Sequence, residues 1–468
     1  MRPEAQRFLA NVQHDCIDAA LALLREVPDL PRAHIAVAAA IGDVDAVAAH
    51  LAHDTDTATS TVETDGVPPL IFAVQQPIKD ALGVSDTARR GVVEQLLDAG
   101  ADPNAWVPFG DPVSRIPALY FVAIAGQAPL VRLLLERGAR PTDGESVYHA
   151  AQHDHRDCLA TLLEFGAELS GAHDTHGNTP LHFLASHRAS NPVAVTALRG
   201  MAWLLAHGAD PSIASSGPPA DVPRPTAGEC PLHRIAAGGH DPESAAMLLD
   251  HGAPIDAMRA DGRTAHALAV RSGNTRMADY LASRGADVAL LSSVDELVGA
   301  CARGDEQAVQ ALRSRLPDVT SALMPDDGVE LLDAIEEDRL ASVSLMLSLG
   351  WPLTAESEWG GTALHWATWR GHAEVVRQLI GAGAPINVRD SAYGSSPIAW
   401  AAHGSQFSGR STPADYATIV DLLLDAGATR LEATNRWGES LEQFAVPAVR
   451  ARLAERGFIG GAPGASSE

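Results

Sequence analysis

Histidine, cysteine and carboxylate side chains are the groups of this sequence that could bind a metal ion or catalyse a reaction. The chain has 19 histidines and 59 acidic residues among its 468 residues. Its densest group is the run from His153 to Cys158, which mixes histidine, aspartate and cysteine. Those residue types suit a metal, but the run has no spacing typical of a zinc site. The sequence therefore predicts no metal site and no cofactor.

Catalytic motifs are also missing from the sequence. Nucleophilic catalysis needs a serine or cysteine beside a histidine that a third group holds, and no Gly-Xaa-Ser-Xaa-Gly elbow marks such a set. Gly238-Gly239 lies where a helix ends, not in a phosphate-binding loop. We therefore predict that the chain is not an enzyme. The alternative is an enzymatic or metal-dependent activity within residues 292–359, whose acidic residues include Asp326, Asp327, Glu336, Glu337 and Asp338.

The stretch Trp359–Asp390 shows which elements position these side chains. Thr362 is a good cap for a first helix, and Gly371 can end it because a glycine readily adopts a left-handed conformation. Apolar residues at helical spacing over Glu374–Ile380 predict a second helix, which Gly383 ends. The unit is a turn, two helices and an extended arm. A short helix pair cannot bury its apolar face alone, so we expect it to stack on copies of itself.

The stretch resembles the ankyrin repeat. The resembling residues are Gly360, Thr362, Leu364, His365, Ala367, Gly371, His372, Gly383 and Ala384, with Ala363 where the family usually has proline. Other segments keep parts of the pattern, as in Thr179-Pro180-Leu181-His182. The resemblance implies an all-α repeat solenoid of about twelve stacked helix-turn-helix units with short hairpin-like fingers. It also implies that His182, His233 and His365 form hydrogen bonds within and between units.

The repeats predict a single array over residues 1–459. Its parts are a capping unit at 1–30, a first run of repeats at 31–291, divergent repeats at 292–359, two strong or extended repeats at 360–437 and a second cap at 438–459. Residues 460–468 are a disordered tail by composition. Insertions at 75–90, 186–196, 213–227 and 404–415 are expected to form loops or, at 75–90, an extended helix end.

The net charge of −25 argues against nucleic acid or an anionic membrane as the main ligand. The four cysteines have no paired spacing, as is common in a reducing compartment. No apolar run approaches the roughly 20 residues of a membrane span. We therefore expect a cytoplasmic monomer.

Aromatic residues give the clearest prediction of a binding site. In ankyrin repeats, positions beside the turn glycine and before the helix-ending glycine line the concave face. Tryptophan and arginine are frequent in binding hot spots, and tyrosine is too. The candidates at these positions are Trp359, Trp369, Arg370, Tyr393 and Trp437. We predict that they bind an unidentified protein with a basic patch.

Two alternatives to this site remain open. The candidate aromatics could merely shield helix ends, and Trp351, Trp366 and Trp400 are expected to pack in the core. The array could also associate with itself through its divergent repeats or its loops.

Overall fold

A computed structural model describes residues 1–61, 66–109, 111–171, 177–216, 227–357 and 360–459, without the side chains of 109 and 111–114. Residue contacts divide the chain into two compact units, unit 1 up to Pro254 and unit 2 from Ile255. The candidate residue Trp359, the predicted tail at 460–468 and most of the insertion at 213–227 lie outside the described residues.

Unit 1 is built from helix pairs and one hairpin. The hairpin is a finger of two antiparallel strands, β1 (Trp106–Phe109) and β2 (Asp111–Pro117). The helices are α1 (Pro3–Gln13), α2 (Ile17–Glu26), α3 (Leu30–Ala33), α4 (Ile35–Ile41), α5 (Val44–His53), α6 (Pro69–Val74), α7 (Pro77–Ala81), α8 (Asp86–Asp98), α9 (Ala118–Ile124), α10 (Ala128–Glu136), α11 (Ser146–Gln152), α12 (Arg156–Glu164), α13 (Pro180–Ala185), α14 (Ala194–Ala206), α15 (Pro231–Ala237) and α16 (Pro242–Asp250), with a 3-10 turn at Thr55–Ala58.

Unit 2 continues with helix pairs. They are formed by α17 (Ala265–Arg271), α18 (Thr275–Ser283), α19 (Ser293–Ala302), α20 (Glu306–Arg315), α21 (Val329–Glu336), α22 (Leu340–Ser348), α23 (Ala363–Arg370), α24 (Ala373–Gly381), α25 (Pro397–Phe407), α26 (Pro413–Asp425), α27 (Leu441–Phe444) and α28 (Pro447–Glu455), with 3-10 turns at Val288–Leu290, Val319–Ala322 and Pro325–Gly328. The divergent segment thus also folds as helix pairs, α19 with α20 and α21 with α22. The predicted all-α repeat solenoid is confirmed.

The predicted start and end of the first helix are seen at α23. Thr362 and His365 form a reciprocal capping box at its start, and Gly371 ends it with a φ of 79°. In that left-handed region a Cβ would strain the backbone. The helix pair α23 and α24 therefore follows from local sequence signals.

Buried histidines form hydrogen bonds within a repeat and to the next repeat, as the resemblance implies. The Nδ1 atom of His365 accepts a hydrogen bond from the backbone N–H of Thr362 at 3.1 Å, so Nε2 is the donor toward the carbonyl of Ser395 at 3.2 Å. His182 bonds in the same way to the carbonyl of Glu229. Burial lowers the pKa of His182 and of His365 to about 4. Both imidazoles are therefore neutral at pH 7.

The insertion at 75–90 matches its prediction in part. Residues 86–90 form an extended start of α8, as expected, but residues 77–81 form the separate short helix α7, which was not predicted. The side chain of Lys79 is fully buried, and its Nζ donates to the carbonyls of Phe72 and Gln75, both at 2.7 Å, so α7 packs against the repeat. At 404–415, α25 runs on to Phe407 and α26 starts at Pro413, so only residues 408–412 connect them.

A buried ion cluster links the repeat at 262–291 to the divergent repeats. The guanidinium of Arg271 donates to Asp295 at 2.9 Å and to Asp327 at 2.6 Å, and it also pairs with Glu330 at 2.6 Å. Arg263 adds a second cation at 2.8 Å from Asp327. Burial raises the pKa of Glu330, and the charge of Arg271 opposes that shift.

Acid is expected to destabilise the fold through its buried histidines. An unfolded histidine has a pKa near 6.5, so between pH 6.5 and 4 the unfolded chain binds more protons than the folded chain does. From about pH 7 to about pH 5.5, His365 should lower the free energy of unfolding by roughly 1 kcal/mol. Urea unfolding of wild type and His365→Gln at both pH values measures this loss. If the substitution leaves the pH dependence unchanged, the neutral buried imidazole is contradicted.

Removing the cation at the centre of the ion cluster should destabilise unit 2. Arg271→Ala leaves Arg263 as the remaining cation beside the buried Asp295 and Asp327 and removes the cation from Glu330. Breaking a buried ion pair typically costs about 3–5 kcal/mol. The control is Arg377→Ala, whose exposed pair with Glu374 should contribute less than about 1 kcal/mol. Denaturant unfolding of both variants gives the comparison, and equal effects would refute the structural role of the cluster.

Candidate functional site

A cavity of about 350 Å³ opens among the last repeats of unit 2. Its walls come from α23, α25, α27 and the segments that precede α25 and α27. We call it the aromatic pocket. It is lined by Trp366, Trp369, Tyr393, Ser395, Ala399, Trp400, His403, Glu432, Asn435, Trp437, Glu439, Leu441 and Phe444.

The repeat period explains why the rings meet here. Trp366 and Trp400 occupy equivalent positions of α23 and α25, and so do Trp369 and His403. Gly404 lets the two helices approach closely because it has no Cβ; a Cβ there would lie 2.2 Å from the carbonyl oxygen of Trp369. Any larger residue at this position would force α23 and α25 apart.

The aromatic rings form walls at steep angles to one another. Trp366 meets Trp400 with ring centroids 5.5 Å apart and planes at 70°. Tyr393 meets Trp437 at 5.0 Å and 61°. Edge-to-face pairs of this kind are favourable, because the positive edge of one ring meets the negative face of the other.

Hydrogen bonds fix the orientation of two of the indole rings. The Nε1–H of Trp400 donates to Asp390 Oδ2 at 3.0 Å, and the Nε1–H of Trp369 donates to His403 Nδ1 at 3.1 Å. Asp390 is buried and also accepts from the backbone N–H groups of Tyr393 and Ser395. One carboxylate therefore sets the turn that carries Tyr393 and the plane of the Trp400 ring.

His403 is a neutral member of the pocket. Because its Nδ1 accepts from Trp369, its proton lies on Nε2. Burial lowers the pKa of His403, although the nearby charge of Glu439 acts in the opposite direction. The imidazole therefore adds no positive charge to the pocket at pH 7.

Two carboxylates give the pocket its negative charge. Glu432 accepts from the backbone N–H and the hydroxyl of Ser396 through Oε1, both at 2.7 Å. Its other oxygen, Oε2, is buried and has no hydrogen-bond partner in the described part of the chain. Glu439 accepts from the Asn435 amide at 3.0 Å. None of the described lining residues is a lysine or an arginine, so no cation of the lining itself balances these charges.

The structure brings three of the five predicted site residues together. Trp369, Tyr393 and Trp437 all line the aromatic pocket, and Trp437 is 67% exposed. Trp359 lies outside the described residues.

The expectation that Arg370 faces a partner is wrong. Its side chain is buried, and its guanidinium forms two hydrogen bonds with the carboxylate of Asp338, at 3.1 and 3.3 Å. Burial by itself would raise the pKa of Asp338, but the hydrogen bond from His372 and the charge of Arg370 outweigh it and lower that pKa. Arg370 therefore connects two repeats instead of presenting its charge to solvent.

Sequence reasoning missed part of the lining. Trp366 and Trp400 were expected in the core; Trp400 is buried there and the half-buried Trp366 packs against it, but both also line the pocket. Glu432 and Phe444 were not predicted, because they belong to the segment where the repeat pattern fades. The 34-residue offset between equivalent positions of α23 and α25 was the available signal for Trp366 and Trp400.

The other groups that could do chemistry have structural surroundings. Asp327 belongs to the buried ion cluster, and Asp338 pairs with Arg370. Burial raises the pKa of the Cys158 thiol to about 12, which keeps it protonated. Among the described residues, no group of three or more His, Cys, Asp or Glu side chains is arranged to hold a metal ion. No helix in the described part of the chain is long and apolar enough to cross a membrane.

Comparison with known proteins finds ankyrin repeats in several segments. A model of ankyrin repeats in three copies matches residues 119–215 and 193–291, and a model of one ankyrin repeat matches residues 359–391. The human cyclin-dependent kinase 4 inhibitor B is 36% identical over 121 residues, which are 24% of this chain and 82% of that protein.

Two further similarities cover other shares of the chain. The human ankyrin repeat and SOCS box protein 6 is 30% identical over 145 residues, 29% of this chain and 32% of that protein, so this chain spans about a third of its length. The ankyrin repeat domain of human ASB11 aligns with a TM-score of 0.40 and 22% identity, over 54% of this chain and 97% of that domain.

Arg370 and Trp437 should respond differently to alanine substitution. Arg370→Ala removes a buried partner of Asp338 and should lower the free energy of unfolding by about 1–3 kcal/mol. Trp437→Ala removes an exposed side chain with one ring contact and should cost less than about 1 kcal/mol. Chemical denaturation of the two variants checks the difference. A larger loss of stability for Trp437→Ala would contradict the assignment of Arg370 to the framework.

Proposed function

The chain belongs to the ankyrin repeat family, and from that premise we propose that it is a non-catalytic scaffold that binds another protein at the aromatic pocket. Ankyrin repeats generally serve as protein-interaction modules. The concave face predicted for these repeats would carry the contact. Trp369, Tyr393 and Trp437 would be the anchors, and Trp359 is proposed as a further one.

The exposure of Trp437 carries this proposal. A tryptophan that is 67% exposed contributes little to the core, and here it forms one edge of a ring-lined cavity. Exposed apolar surface next to a concave pocket is typical of an interaction site. Large aromatic side chains also supply much of the energy in protein interfaces. These features support binding at this end of unit 2.

Rigid walls support the same proposal. The hydrogen bonds from Trp400 to Asp390 and from Trp369 to His403 orient the rings before any partner arrives. Less side-chain freedom is then lost on binding, so more of the contact energy appears as affinity. Gly404 also allows α23 and α25 to pack closely, which keeps the walls of the pocket together.

The charge of the site favours a basic partner surface. Glu432 and Glu439 lie in the pocket, and the whole chain carries a net charge of −25. Opposite charges speed the encounter of two proteins and discriminate against acidic partners. The partner should therefore present lysine or arginine around the segment that enters the pocket. We further propose that the chain acts as a monomer in the cytoplasm.

Binding should depend on Trp437 and not on an exposed tryptophan elsewhere. The partner can be found by affinity capture from native extract and then measured in purified form by calorimetry. Trp437→Ala should weaken binding by roughly 2 kcal/mol if it is a hot spot. Trp106→Ala, which removes another exposed tryptophan from the hairpin finger of unit 1, should leave the affinity unchanged.

The outcome for Tyr393→Ala completes this test. Tyr393 packs edge to face on Trp437, so its loss should also weaken binding. Unchanged affinity in both pocket variants would exclude the aromatic pocket as the binding site. Light scattering at several protein concentrations separates binding of a different protein from self-association of the array.

A further inference from the structure

The composition of the aromatic pocket points to one class of ligand. Four tryptophans and one tyrosine contribute to its walls. The face of an aromatic ring carries partial negative charge and attracts a cation that lies within about 6 Å of the ring centre. Several such faces around one cavity favour a positively charged guest over an apolar guest of the same shape.

Glu432 strengthens the preference for a cation. Its Oε2 atom is buried without a hydrogen-bond partner among the described residues, and none of the described lining side chains is basic. A buried carboxylate oxygen without a partner costs free energy, which a cation nearby offsets. The pocket thus has a negative charge that an incoming cation would balance.

The hydrogen-bond inventory indicates which cation fits. A lysine ammonium has three N–H donors and an arginine guanidinium has five, and a buried cation needs acceptors for them. Three acceptors at the pocket already have partners: Glu432 Oε1 bonds Ser396, Glu439 Oε2 bonds Asn435, and the Ser395 carbonyl bonds His365. A methylated ammonium has at most two N–H groups, and the trimethylated form has none.

Such a cation also loses less hydration when it is buried. Methyl groups spread the charge over a larger, apolar surface, which lowers the desolvation cost and suits contact with aromatic faces. The cavity of about 350 Å³ has room for the methylated head and part of an aliphatic stem. The size of the pocket, its charge and its few free acceptors therefore all favour a methylated ammonium group.

We propose that the aromatic pocket binds a methylated ammonium group on a lysine side chain of the partner protein. This inference rests on the proposed function, because it assumes that the partner enters the same pocket. A free small molecule with a quaternary ammonium group shares the chemistry, so the experiment must separate the two sources.

The first arm of the test uses small probes and the full chain. Tetramethylammonium and choline are titrated while tryptophan fluorescence is followed, and 3,3-dimethyl-1-butanol serves as the neutral isostere of choline. The cations should bind at least about tenfold more tightly than the isostere, because only they gain from the ring faces and the carboxylate. Glu432→Gln keeps an acceptor for Ser396 and should weaken cation binding several-fold while the isostere is unaffected.

The second arm identifies the source of the cation. A short blocked peptide with one trimethyl-lysine is compared with the same peptide carrying lysine or arginine. At least about tenfold tighter binding of the trimethylated peptide, together with cation binding in the first arm, supports the proposal. If choline binds and no peptide does, the lysine source is wrong and the ligand is a free quaternary ammonium.

Other outcomes overturn the inference as a whole. Equal binding of choline and its neutral isostere would show an apolar pocket without cation selectivity. No binding of any cation up to about 100 mM would also refute it, and so would a preference for the arginine peptide. If Trp437→Ala still weakens partner binding in these cases, the proposed function stands and only the cation inference fails.

Discussion

The aromatic pocket depends on the buried carboxylate of Asp390. It accepts hydrogen bonds from the backbone N–H groups of Tyr393 and Ser395 and from the indole of Trp400. The turn that it closes places the Ser395 carbonyl against His365, whose other nitrogen caps α23. One charged group thus links the start of a helix, the turn to the next repeat and a wall of the pocket. Charge-assisted bonds of this kind are roughly twice as strong as neutral ones.

Repetition makes such an arrangement possible. Each helix pair leaves an apolar face that only a neighbouring pair can bury, so successive units present equivalent positions side by side. At α23 and α25 these positions carry Trp366 with Trp400 and Trp369 with His403. The same stacking that stabilises the array therefore collects aromatic side chains that are far apart in the sequence. Recognition can be added at these positions without altering the core.

Much of the fold was predictable because its signals are local. The cap at Thr362, the left-handed stop at Gly371 and the spacing of apolar residues each depend on a few neighbouring residues. Arg370 lies just before the helix-ending Gly371, as predicted, but its side chain is buried and not exposed. Its partner Asp338 lies 32 residues earlier, and no local sequence pattern predicts such a pair. The burial of Lys79 was unpredictable for a similar reason, since its partners are backbone carbonyls that any sequence provides.

The roles of Trp359, the basic partner and the monomeric state stay predictions.

The central claim is that the pocket is formed before the partner arrives, and NMR of the tryptophan indole N–H groups tests it most directly. In the free protein, the Trp369 and Trp400 indole protons should exchange slowly with solvent because both are hydrogen-bonded inside the pocket. Adding the purified partner should shift these two signals and leave that of Trp106 in place. Rapid exchange of both protons in the free protein, or shifts confined to tryptophans outside the pocket, would contradict the account.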